Sequence, residues 1–230
     1  GHNGPDRMTF HNSALARLVP DGTPRYDRVV RTLSAFVLIA GFAHCAVAGC
    51  APRVANAGFW FEEVTYESPD LGRLTPADLQ TIEAIARAEL TTAFSGMRFV
   101  LSHRRDATYR VRVVQRLLDN RFRRPVEVAG HSLGMTRLGG QGAVSFSFLA
   151  SSAIAYAPAD ATRAATIEAI GRGIGRAAVH EFTHQILPRA SIHSPNIRSY
   201  EYASAGRPEQ YFGDMQWDIA LPLLRQRIGS

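Results

Sequence analysis

One stretch governs what this chain can fold into: ADATRAATIEAIGRGIGRAAVHEFTHQILP, residues 159–188. Ile167, Ile170 and Ile174 recur on one face at helical spacing, Asp160 suits the N-cap, and Pro188 forbids continuation. A single long helix is expected between them. Gly171, Gly173 and Gly175 interrupt it, each costing about 1 kcal/mol of helix propensity relative to alanine. Such a cost is tolerated where a helix must come close to a neighbour, and the expected neighbour is a sheet.

Around that helix, strand and helix patterns alternate. Thr75-Pro76 opens an earlier helix, with Leu79, Ile82, Ile85 and Leu90 on one face up to Phe94. FWFEEVTYES from Phe59, MRFVLS (97–102), TYRVRVVQ (108–115) and AVSFSFLA (143–150) read as strands. In the last of these, Val144, Phe146 and Phe148 alternate with Ser145 and Ser147. Gly134, Gly139, Gly140 and Gly142 mark a loop before it, and WDIALPLLRQRI reads as a short terminal helix. The order makes an α+β domain: a small mixed sheet, two long helices and a loop-rich C-terminal part.

The N-terminal region has a different character. Arg25, Arg28 and Arg31 precede the uncharged LSAFVLIAGFAHCAV, which ends at Ala48-Gly49-Cys50. A basic region, an apolar run and small residues are the parts of a secretory signal. The run is short for a membrane span and contains His44. Val47-Ala48-Gly49-Cys50 resembles the bacterial lipobox, which implies lipidation of Cys50, a membrane anchor and an extracytoplasmic address in the cell envelope. If the cell is Gram-negative, that means the periplasm or outer membrane. The expected organisation is therefore a signal and N-terminal extension (1–49), a lipid-anchored tether (50–58) and one domain (59–230). With Cys45 removed and Cys50 lipidated, no thiol remains for a disulfide, so stability comes from the core or from a metal.

Charge excludes one class of partner. The net charge is +6, and every basic residue is arginine. Beyond residue 49, 21 Arg face 17 acidic residues, a balance too mild and diffuse for nucleic acid. The densest run, YRVRVVQRLLDNRFRR (109–124), begins as a strand with a solvated arginine face.

The chemistry lies near the end of the long helix. His180 and His184, four apart, share one helical face and can reach one zinc ion. Glu181 lies at the rim of that face, where it can take a proton from water made acidic by the metal and pass it to a leaving amine. His-Glu-x-x-His with a preceding strand and a loop-rich tail resembles the zincin metallopeptidases. That resemblance implies a peptide or protein substrate pairing with the edge of the preceding strand, which AVSFSFLA would provide. The alternative of a different class is a non-catalytic envelope lipoprotein with a structural metal or none.

The third ligand divides the subfamilies. His193, nine residues after His184 and beyond the break at Pro188, gives an arrangement similar to metzincins, although their glycine in the intervening turn is missing from Gln185-Ile186-Leu187. Met215 is the candidate for their methionine turn. Glu201 is the rival, similar to the ligand of gluzincins but with Ala205 where a partner acid is expected; Glu209 and Asp214 are weaker candidates. Glu201 can also pair with Arg198 or Arg207, or hold a histidine ligand in place. His103 and His131 read as ordinary surface or loop histidines.

A competing motif is Gly130-His131-Ser132-Leu133-Gly134, which resembles the nucleophile elbow of α/β-hydrolases and would make Ser132 a nucleophile. That elbow needs a helix immediately after the serine, and the glycine-rich MTRLGGQGAVSF that follows is a poor helix. A turn is the expected role.

Overall fold

A computed structural model describes residues 53–119, 125–136, 139–187 and 192–230. All belong to one compact unit, Ala48–Ser230; the expected signal and N-terminal extension (1–49) and the expected lipidation site Cys50 lie outside the described residues. No described helix is long and apolar enough to cross a membrane.

The unit is α+β. Its sheet combines β1 (Ala55–Phe61), β4 (Phe99–Ser102), β5 (Tyr109–Val114), β8 (Gly130–Thr136) and β9 (Gly139–Ser145) in the order β4-β1-β5-β9-β8. The first four run parallel, and β8 pairs antiparallel with β9 at the edge. Two short ribbons, β2 (Glu67–Ser68) with β3 (Gly72–Arg73) and β6 (Leu118–Asp119) with β7 (Val126–Glu127), lie outside it. The helices are α1 (Pro76–Ala93), α2 (Phe146–Ala155), α3 (Arg163–Ile186), α4 (Glu209–Phe212) and α5 (Ala220–Ile228). On β5, Tyr109, Val111 and Val113 are buried, and Arg112 is exposed on the other face as its alternation requires.

Several expectations are corrected. The domain begins before Phe59: Ala55 and Ala57 are 0% exposed in β1, so residues 55–58 are sheet and not tether. AVSFSFLA is half strand and half helix, because Ser145 ends β9 and then caps α2, its hydroxyl accepting the Phe148 N–H at 3.4 Å. Phe146 and Leu149 thus reach the core from a helix. The glycines expected in a loop at 139, 140 and 142 lie within β9. Asp160 does not cap α3; Thr162 does, its hydroxyl accepting from Ala165 N–H at 3.2 Å.

The expected start of α1 holds in detail. Thr75 Oγ1 accepts from Asp78 N–H at 3.2 Å, while Asp78 Oδ2 accepts from Thr75 N–H at 2.7 Å, a reciprocal capping box. Arg163 then donates to both Asp78 oxygens, at 2.7 and 2.8 Å, tying the start of α3 to the start of α1.

The glycines of α3 face helices rather than the sheet. A Cβ at Gly171 would stand 2.7 Å from Ile85 Cβ, and one at Gly175 would stand 2.8 Å from the Ala86 main-chain oxygen. These two, one turn apart, let α3 lie directly on α1. The sheet has its own device: a Cβ at Gly140 would meet Gln185 Cγ at 2.8 Å, so bare strand admits the last turn of α3. Gln185 completes that seam, donating to Arg110 O and accepting from Arg110 N–H, both at 3.0 Å.

Candidate metal centre

His180 and His184 project from the last turns of α3, and His193 returns to them from the segment beyond it. Their ligand atoms all lie within 4.8 Å of one another. His184 Nε2 is 3.0 Å from His180 Nε2 and 3.0 Å from His193 Nε2. Ile192 is buried beside His193, and Ser194 N–H donates to Glu201 O at 3.2 Å, fixing the returning chain.

Tautomer logic favours a cation among these nitrogens. His180 Nδ1 lies 2.9 Å from Tyr200 O, and a carbonyl only accepts, so that nitrogen carries the proton. Its Nε2 is therefore a bare lone pair aimed at His184. His184 Nε2 can either donate one proton or accept one, not both, yet it faces two ring nitrogens. The observed separations approach the edge of about 3.3 Å set by tetrahedral Zn–N bonds of about 2.05 Å. The donor set fits zinc, and the Tyr200 carbonyl behind His180 is the orienting partner that metal-bound histidines ordinarily have.

Burial keeps His180 and His184 neutral. Burial lowers His180, opposed by the hydrogen bond to Tyr200. Burial, then repulsion from His180, His193 and His131, brings His184 down to about 3. Neutral imidazole is the form that binds a metal. Glu181 moves the other way: burial raises its carboxyl to about 7, against the Ser132 hydroxyl, which favours the charged form.

Glu181 is only 6% exposed and packs against β8. Ser132 Oγ lies 2.6 Å from Glu181 Oε2 and 2.9 Å from Glu181 O. The three histidines, Glu181 and Ser132 line one cleft of about 580 Å³, which extends past Phe148 and Tyr202.

Glu201 does not join the cluster. It is 1% exposed and its Oε1 accepts from the N–H groups of Ile219 at 2.9 Å and Ala220 at 2.6 Å, so it caps α5. Ser199 also bonds it through its hydroxyl. It pairs with neither arginine foreseen for it; its main-chain oxygen, not its carboxylate, steadies the segment carrying His193. Glu209 offers a main-chain oxygen to Arg176 at 2.9 Å, and neither it nor Asp214 is among the clustered ligands. Met215 sits at the core margin, accepting from Gln210 Nε2 at 3.8 Å.

Of the two other histidines among the described residues, His103 is exposed beside Glu83, as expected, whereas His131 stands on β8 in the cleft wall. The turn expected at Ser132 is also corrected: β8 runs on through Ser132 to Thr136, and no strand-to-helix turn of an elbow is formed there. The edge strand along the site is β8, while β9, which contains the first part of AVSFSFLA, is interior. Tyr200 was not foreseen, since a main-chain carbonyl leaves no mark on a sequence; Ser132 was visible, but in the wrong role. Compared with models of protein families, with curated proteins and with solved structures, the chain matches none.

Proposed function

We propose that this domain is a zinc-dependent peptidase of zincin type, held outside the cytoplasm by lipid on Cys50. The observation carrying the reading is the convergence of three imidazole Nε2 atoms, at 3.0 Å contacts, beside a buried carboxylate in one cleft. His180, His184 and His193 are the ligands. Bound there, zinc supplies Lewis acidity, which makes water acidic enough to attack at neutral pH and polarises a carbonyl. Glu181 accepts the proton of the attacking water and returns it to the leaving amine. A carboxyl near 7 is suited to both transfers. The cleft receives the peptide alongside the edge strand β8. The anchor is supported by the basic, apolar and Ala-Gly-Cys order of residues 25–50.

The deciding experiment compares the full chain with Glu181→Gln. The wild type should hold one zinc and hydrolyse a peptide library in a chelator-sensitive manner. The variant should keep its zinc and lose about 10²-fold or more in kcat, the scale of general-base catalysis. Zinc without hydrolysis in the wild type makes this a structural metal in a non-catalytic envelope protein.

A further inference from the structure

The Gly-x-Ser motif that imitates a nucleophile elbow has another use in this fold. Residues two apart on a strand face the same side, so Gly130 and Ser132 both turn toward α3. Ser132 directs its single hydroxyl proton between Glu181 Oε2 at 2.6 Å and the main-chain oxygen of the same residue at 2.9 Å. Gly130 lies under the other oxygen: a Cβ there would stand 2.6 Å from Oε1 and 3.1 Å from Glu181 Cγ. Oε1 receives no hydrogen bond from the described residues, and Glu181 lines the cleft shared with the three histidines.

We propose that Ser132 is a positioning residue: its hydroxyl clamps Glu181 Oε2 while the bare Gly130 makes room for Oε1, which is thereby presented to the cleft as the proton acceptor. This rests on the reading of Glu181 as the base. A free glutamate has several rotamers, and only one points an oxygen at the attacking water. The clamp removes that freedom before substrate arrives, and misplacing a reacting group by about 1 Å can cost about 10²-fold in rate. The edge strand thus acts on the chemistry through one face, and its glycine and serine are needed at period two.

The test uses the full chain with zinc and the variants Ser132→Ala, Ser132→Thr and Gly130→Ala. Ser132→Ala should lower kcat by about 10- to 100-fold with KM and zinc content unchanged. Ser132→Thr keeps the hydroxyl and should restore most of the rate; Gly130→Ala, pushing on Oε1, should lower kcat as well. A second readout needs no activity. In metal-free protein, Ser132→Ala should lower the melting temperature more with Glu181 present than in the Glu181→Ala background, where only the bond to the main-chain oxygen of residue 181 is left to lose. Full kcat in Ser132→Ala, or strict additivity in that cycle, overturns the positioning role and leaves the peptidase reading standing. A wild type without chelator-sensitive hydrolysis overturns both.

Discussion

The carboxylate of Glu201 receives the main-chain N–H of Ala220 at 2.6 Å, inside the protein and at the first turn of α5. A group engaged in this way neutralises a helix N-terminus and is not free to bind a cation. Replacing Glu201 with alanine strands buried N–H donors at a cost of about 1–3 kcal/mol. The expected result is a melting temperature lower by several degrees, with zinc stoichiometry unchanged in the folded protein. Loss of zinc at an unchanged melting temperature would make Glu201 a ligand.

His193 should behave in the opposite way. Its side chain is exposed, so His193→Ala should leave the melting temperature of the metal-free protein nearly unchanged. Zinc affinity should fall by more than about 100-fold, beyond what losing an orienting partner costs. Competition with a chromophoric chelator measures this, and His103→Ala is the control with wild-type affinity.

Gly175→Ala sets two effects against each other. Helix propensity gains about 1 kcal/mol. Against it, the new methyl stands 2.8 Å from the Ala86 main-chain oxygen and 2.7 Å from Glu89 Cβ, and backbone cannot swing aside. Overpacking of this kind costs about 1–3 kcal/mol, so the variant should be less stable in urea unfolding than the wild type. A stabilised variant would show that α1 and α3 do not approach this closely.

Asp78 gives a pH dependence of known sign. Hydrogen bonds from Arg163 first, and then from the Thr75 N–H and hydroxyl, hold its carboxyl well below the ordinary range. Stability from a depressed carboxyl is fully present above its unfolded pKa of about 3.9 and drains away as pH falls toward the folded value. Asp78→Asn should therefore be less stable than wild type at pH 7, and the gap should narrow as urea titrations move below about pH 4. A gap independent of pH would mean that the ion pair contributes nothing.

Local order in the chain was enough to identify what depends on neighbours in sequence. Thr75 and Pro76 announce the start of α1 because an N-cap and a first-turn proline act within one turn of chain. His180 and His184 share a face because a helix turns every 3.6 residues, and His193 could be nominated because a proline-broken chain soon after a helix can return to its end. Roles that depend on distant partners were not legible. Val144, Phe146 and Phe148 alternate alike in a strand and across a strand-to-helix junction, and only the Ser145 cap, with Phe146 buried in the first turn of α2, separates the two. Ser132 looks like a nucleophile until Glu181, 49 residues away, occupies its hydroxyl. Glu201 looks like a ligand until the N–H groups of α5 surround it, because a carboxylate takes its function from whatever positive charge the fold brings to it.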